Sequence, residues 1–272
     1  MMQVAGTGRQ TIMGDYPEGV WTEQCASLKE LNLQIFVQET DGFKVGGYFI
    51  LCNAVLEDNN INLMGQVINA LGISIAKALD KAIAYGTGVK MPLGVVTRLA
   101  QTAQPSDYPA KARPWVDLHL TNIEKQAAAT GKTLFKNIIT ARGKIKNKYS
   151  KSGLIWIMNE ATHTKLLAES VEASVSATVQ AGMGGTMPVI GGAIIECDFM
   201  AAGDILYGYF GNYLLAQRAG TAIASSDQYK FIEDQTVFKG TARYDGKPTI
   251  AESFALININ NVAPTTTVEF PS

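Results

Sequence analysis

Between Ile61 and Tyr85 the chain reads INLMGQVINALGISIAKALDKAIAY. Ile61, Met64, Ile68, Leu71, Ile75, Leu79 and Ile83 recur there at spacings of three and four. That is the repeat of an α-helix, and it puts these side chains on one stripe. At about 1.5 Å per residue the segment spans roughly 37 Å. Asn59 or Asn60 can cap its start, Gly86 and Gly88 stop it, and Pro92 follows. Leu63, Val67, Ala70 and Ile73 widen the apolar face, so the rod needs cover on more than one side. Gly65 and Gly72 each cost about 1 kcal/mol relative to Ala, which a helix tolerates where something packs closely against it. A rod of this length and apolarity becomes the spine of the fold, and the other segments are read by what they can lay against it.

Upstream, LKELNLQIFV–QETDG–FKVGGYFILC (28–52) has two runs rich in β-formers flanking Asp41-Gly42. An Asp-Gly pair supplies positive φ at little cost, so the reading is a projecting β-hairpin near 27–49. Leu31, Leu33, Ile35 and Val37 share one of its faces by the two-residue period, and Val45 joins them if the register allows. A lone ribbon would leave that stripe in water. Residues 1–24 are Gly-rich and weakly periodic and read as an extended arm. Downstream, 115–131 reads as a short helix. Residues 133–149 read as another, with Leu134, Ile138, Ala141, Ile145 and Tyr149 on one stripe. GLIWIMN (153–159) reads as a buried strand and Thr162 to about Glu169 as a helix. The Gly-rich stretch 170–188 reads as a loop. After Pro188, VIGGAIIECDF, GDILYGYF, NYLLAQRAG and TAIAS read as short strands. DQTVFKGTARYDGKPTIAESFALININ then reads as two longer strands around a second turn at Asp245-Gly246. The order is α+β, without the regular alternation of a doubly wound sheet.

Composition narrows the function classes. The 272 residues carry 23 Lys+Arg against 24 Asp+Glu, a net charge of −1, which excludes a basic protein that coats nucleic acid. Charged residues make up only 17%, against about 25% in ordinary soluble domains. Much of the surface is therefore neutral, which suits burial against partner subunits. Cys25, Cys52 and Cys197 are an odd, widely spaced set with no C-x-x-C, so no disulfide framework or zinc ribbon is implied. The start, MMQVAGTGRQ, does not read as a signal peptide. No apolar run reaches the ~18 residues of a membrane span.

The segments that resemble chemistry fall short of it. ATGKTLF (129–135) ends like a phosphate-binding loop, but that loop needs Gly five positions before Gly131, where Gln126 stands. Gly131 reads instead as the joint between two helices. Asp58, Asn60 and Asn62 mimic the first ligands of a calcium loop, whose sixth and twelfth positions here are Leu63 and Asn69. GTGRQT (6–11) and GMGGTM (182–187) leave G-x-G-x-x-G incomplete. His119 and His163 are the only histidines, too few for a His-rich metal site. Lys132, Lys136, Arg142, Lys144, Lys146, Lys148 and Lys151 form a basic run with no acid between them. No aromatic stacking platform interleaves, so it reads as a solvated helix face. No catalytic residue, cofactor or metal is expected, and a structural, assembling protein is favoured over an enzyme.

One resemblance draws these segments together. FILCNAVLEDNNINL (49–63) leads into the spine, which ends in ALDKAIAYGTGVKMPLGVV (78–96), with Asp80, Ala82, Gly86, Gly88, Pro92 and Gly94 spaced as D-x-A-x-x-x-G-x-G followed by P-x-G. WIMNEATHTKLL (156–167), GDILYGYFGNYLLAQRAG (203–220) and ARYDGKPTIAESFALI (242–257) follow in order. The chain thereby resembles the Hong Kong 97-type major capsid proteins of tailed bacteriophages over roughly residues 25–258. The resemblance implies an arm (1–24), an extended hairpin loop (25–49), a peripheral domain (50–114 and 221–258) carrying the spine, an axial domain (115–220) and a C-terminal tail (259–272). It implies a virion protein, assembled in the host cytoplasm, that forms hexamers and pentamers of an icosahedral head around double-stranded DNA. Leu31, Leu33, Ile35, Val37, Asp41, Gly42 and Lys44 would then meet neighbouring subunits. The implied partners are other copies, a portal, a separate scaffolding protein or minor capsid proteins, and packaged DNA bound non-specifically, with no membrane. Nothing here resembles the charged helical scaffolding segment of many members, so the expectation is a processed chain or a separate scaffold. Lys44 suits a cross-linking lysine, but the sequence names no Asn partner. An encapsulin-type nanocompartment shell is the related alternative, and an intracellular α/β enzyme using 129–135 the unrelated one.

Overall fold

The spine is one uninterrupted helix from Leu63 to Tyr85. A computed structural model describes residues 2–5, 9–13, 17–23, 27, 30–31, 35–57, 63–108, 114–172, 185–187 and 190–271. In chain order the elements are β1 (Met2–Ala5), β2 (Arg9–Met13), β3 (Ile35–Glu39), β4 (Phe43–Cys52), α1 (Asn53–Glu57), the spine α2 (Leu63–Tyr85), α3 (Val95–Leu99), α4 (Leu118–Thr121), β5 (Ile123–Lys125), α5 (Gly131–Ala141), β6 (Ile155–Met158), α6 (Glu160–Glu172), β7 (Ala193–Glu196), β8 (Asp204–Gly208), β9 (Tyr213–Lys230), β10 (Gln235–Pro248) and β11 (Phe254–Asn258).

A five-stranded sheet in the order β5-β11-β8-β6-β7 forms the body. Its central strands β8 and β11 are buried at every position. The two-residue period sorts their side chains onto two faces. Ile205, Tyr207, Ala255, Ile257, Trp156 and Met158 pack on one side with Leu134 and Ile138 of α5 and Leu166 of α6. Leu206, Phe254 and Leu256 pack on the other with Val95, Val96 and Leu99 of α3 and Ile83, Ala84 and Tyr85 of the spine. Trp156 stacks on Tyr207 at 4.6 Å, and its indole N–H donates to the Gly191 carbonyl at 3.0 Å. Asn159 starts α6 by accepting from the Thr162 amide at 2.7 Å.

The second sheet runs β1-β9-β10-β4 and projects from the body. β9 extends for 18 residues, about 60 Å at the usual rise. Its first four residues are buried and nearly all of the rest are exposed. The N-terminal half of α2 lies on this sheet, where Val67 and Leu71 meet Phe238. The helix also lies over Gly240, where a Cβ would come into contact with Leu71 and Ile75 at 3.4 Å.

Several expectations change. The spine buries Val67, Leu71 and Ile75, and Leu79 is half-buried, but Met64 and Ile68 are exposed, since it is Val67 and Leu71 that this half of the helix turns onto Phe238. Ile61 and the caps Asn59 and Asn60 lie outside the described residues, as does most of the 170–188 segment. No hairpin forms across Asp41-Gly42. β3 pairs antiparallel with β2, and β4 pairs antiparallel with β10. The ribbon therefore draws one strand from the expected arm. β1, also in the arm, pairs in parallel with Leu214–Gln217 of its own chain. Asp245-Gly246 is no turn either, because both residues sit inside β10. NYLLAQRAG and TAIAS belong to the single strand β9, which reverses into β10 at 231–234. Residues 115–131 hold only the one-turn helix α4, capped by Asp117, before β5 joins β11. The 133–149 helix ends at Ala141 and gives way to two 3-10 turns.

Candidate assembly surface

Exposed apolar side chains stand on β3 and the segments that flank it and on the projecting sheet, with others such as Leu120 and Val171 on the body. On the ribbon, Ile35 and Val37 share the exposed face of β3, and Leu31 just before it is exposed too. Leu33 lies outside the described residues. The link between β2 and β3 carries Trp21, which is 99% exposed. An indole left wholly in water is unusual, since Trp is highly buried on average. Gln38 and Thr40 are buried at the ribbon's base.

That base is a built joint. The Asp245 carboxylate accepts from the Asp41 amide at 2.6 Å and the Gly246 amide at 2.7 Å. Arg243 donates from Nε and Nη2 to the Gly42 carbonyl at 3.1 and 3.0 Å. A Cβ at Gly42 would meet Arg218 Cδ at 2.5 Å, and one at Gly246 would meet the Leu214 carbonyl at 2.7 Å. The Asp41 amide and Gly42 carbonyl thus dock the β3–β4 link on β10, Gly246 lets β9 and β10 approach within their own sheet, and neither glycine takes a positive φ. Asp41 and Lys44 are exposed beside the joint, with Lys44 opposite Arg243 in register. A cleft of about 380 Å³ opens here between Glu39, Asp41, Asp107, Asp245 and Lys247.

Its carboxylates titrate in opposite senses. Burial lifts Asp245 above the usual carboxylate range, although the amides of Asp41 and Gly246 pull the other way. Burial also acts to raise Asp107. The Arg98 hydrogen bonds and charge, with the Lys247 charge, outweigh that and hold Asp107 below its usual value. Arg98 is buried, and its fork meets Asp107 at 3.1 and 2.5 Å.

The other candidate segments are absorbed into the body. Gly131 opens α5 instead of closing a helix, and its amide donates to the Glu169 carboxylate at 2.6 Å. The amide that a phosphate would seek is thus held by the chain's own acid. Within the basic run, Arg142 bonds Asn147, the Ile145 carbonyl and the Tyr209 hydroxyl. Lys144 pairs with Glu124 at 3.1 Å. Lys148 lies over the Tyr149 ring. Among the described residues, no group of three or more His, Cys, Asp or Glu could hold a metal ion.

The sequence reading missed the joint residues Arg243 and Asp245 as a functional group, because ARYDG looks like a turn. It also missed the tip of the β9–β10 hairpin. Phe231-Ile232-Glu233-Asp234 contains no Gly, Pro or Asn. The one available signal was Asp234, a residue type that tolerates the left-handed φ of 52° found there.

Comparison with known proteins decides the family. The model of the phage capsid family matches residues 2–259. The chain belongs to the phage capsid family. Solved structures agree on the fold. A Mycobacterium phage Adephagia chain superimposes with a TM-score of 0.68 at 12% identity, covering 97% of this chain and 89% of that one. The capsid of an empty GTA particle gives 0.65 at 16%, covering 95% and 87%. The capsid of cyanophage P-SCSP1u gives 0.60 at 12%, covering 94% and 85%. No curated protein matches the sequence. This phage capsid family member has the mixed α+β, Hong Kong 97-like fold, and it is a structural protein of the virion.

Proposed function

We propose that copies of this chain assemble as hexamers and pentamers into a closed icosahedral head around double-stranded DNA. The observation that carries the reading is a buried core bearing a ribbon and a sheet with exposed apolar side chains, Leu31, Ile35, Val37 and Trp21 among them. Soluble monomers avoid such surface, and neighbouring subunits would cover it. Full burial of one such side chain is worth about 1.5–3 kcal/mol before ordering costs. Many weak copies then sum to a stable particle.

On this reading a portal occupies one vertex, a separate scaffolding protein guides assembly in the host cytoplasm, and DNA is contacted non-specifically. The net charge of −1 argues against a DNA-condensing shell. Electron microscopy of the purified protein tests the reading. Shells or capsomers support it, and a discrete small particle overturns it. DNA inside native particles, rather than a cargo enzyme, separates the head from a nanocompartment. Ile35→Asp should leave a folded subunit by circular dichroism that sediments as free monomers or capsomers. Normal shells from this variant would remove the ribbon from the interface, and an unfolded one would place Ile35 in the subunit's own core.

A further inference from the structure

The far end of the β9–β10 hairpin presents apolar side chains on a braced turn. Phe231 is 81% exposed and Ile232 95%. The turn itself is held firmly. Asn53 donates its backbone amide to the Asp234 carbonyl at 3.0 Å and its side-chain amide to the Asp234 carboxylate at 2.7 Å. Thr236 donates to the Asn53 side-chain oxygen at 2.6 Å, and Lys230 pairs with Glu233 at 2.7 Å. With the turn's backbone braced in this way, docking has less backbone ordering left to do.

A matching hollow lies beside it. A cleft of about 360 Å³ is lined by Tyr48, Ala224, Ser226, Tyr229, Val237 and Lys239, among others. Lys239 stands opposite Tyr48 on one side and Ala224 on the other, so these three share a sheet face. Phe238, between Val237 and Lys239, faces the other way onto α2. The cleft therefore opens on the face that the spine leaves uncovered. Tyr229 lines it, yet Phe231, two residues on, points into solvent, so a subunit does not fill its own cleft.

We propose that Phe231 and Ile232 of one subunit insert into the Tyr48–Tyr229–Val237 cleft of a second copy. The rim lysine Lys239 then meets an incoming turn that carries Glu233 and Asp234. Knob and hollow are different patches, so the contact is heterologous, and it closes into a ring where the rotation permits. Their closeness on one hairpin tip places the ring axis next to that tip. The inference rests on the shell reading and names a surface within it.

The test uses the full chain with Cys25→Ser, Cys52→Ser and Cys197→Ser throughout, so that the introduced cysteines are the only thiols. Ile232→Cys combined with Ser226→Cys should give, on mild oxidation of assembled particles, a ladder of covalent oligomers. Either cysteine alone should give none. A disulfide from Ile232→Cys alone would mean that tips meet tips, and would overturn the insertion. Particles that assemble normally without a ladder would overturn it too while leaving the shell reading intact. Wild-type protein that never exceeds a monomer would overturn both. Independently, Ile232→Asp should lower the association constant by about tenfold or more at an unchanged circular dichroism spectrum, each tenfold being ~1.4 kcal/mol. Assembly indistinguishable from wild type would count against the contact.

Discussion

The two larger sheets of this chain meet opposite fates. β8 and β11 are buried at every position, with one face under α5 and α6 and the other under α3 and the spine. β9 and β4 are exposed over most of their length. β9 makes the point within one strand: Tyr213–Ala216 are buried in the body, and Arg218–Tyr229 leave it for solvent. A main-chain ladder can thus extend far beyond the hydrophobic core that anchors it, provided its far end is braced.

Two tryptophans sharpen that contrast most. Trp156 is 0% exposed, stacked on Tyr207 and hydrogen-bonded to Gly191. Trp156→Ala should destabilise the subunit by about 3–5 kcal/mol, a large part of a typical domain's stability. Denaturant unfolding read by circular dichroism checks this. Trp21→Ala, at the wholly exposed residue, should stay within about 0.5 kcal/mol of wild type in the same assay. A large stability loss at Trp21 would show that the ribbon belongs to the core, and the comparison would fail.

What could be read in advance divides along the same line. The spine and the Trp156 strand were legible because a buried face imposes a period that a sequence displays, and β8 because a strand buried on both faces reads as a short apolar run between glycines. The projecting sheet was not. RAGTAIASSDQ alternates weakly, since neither face of that part of β9 is buried within the subunit, and it passed for two short strands. Both Asp-Gly pairs were read as turns by local preference, but long-range contacts decided them. Gly42 and Gly246 make room for Arg218 and for the Leu214 backbone, which lie 176 and 32 positions away in the chain. Strand partners were likewise invisible. Nothing local says that Phe43–Cys52 pairs with Gln235–Tyr244 rather than with β3.

The joint between the regions gives a smaller effect with a definite pH sign. Asp107 has a depressed pKa, so its contribution is fully present above the unfolded value of about 3.9 and is lost as pH falls through the folded value. Asp107→Asn should cost about 1 kcal/mol near neutral pH, under the ~1.5–3 kcal/mol of a charged hydrogen bond, because the carboxylate is 38% exposed. Below pH 4 the gap to wild type should shrink. Asp245 runs the other way. Its raised pKa means that ionisation is disfavoured in the folded state, and this cost fades as pH falls. Asp245→Asn should therefore not reproduce the acid profile of Asp107→Asn. Unfolding midpoints from pH 3 to 7 decide between them, and parallel profiles would show that the joint's charges do not act separately.

The smallest effect has the opposite sign and probes the spine where it leaves the body. Gly72 sits inside α2, and a Cβ built there meets nothing within 4 Å. The expectation that something packs closely against this glycine therefore fails within the subunit. With helical φ and ψ already in place, Gly72→Ala narrows the unfolded ensemble and should stabilise the isolated subunit by about 0.4–1 kcal/mol. Thermal unfolding of unassembled protein reads this directly, and a loss of stability would mean that the subunit does pack on that side. Assembly supplies the second reading. If the glycine keeps space for a neighbouring copy, the stabilised variant should form shells less readily than wild type, by sedimentation at matched concentration. If shells form equally well, the space at Gly72 stays open in the particle, and the glycine is only a weak point in the helix.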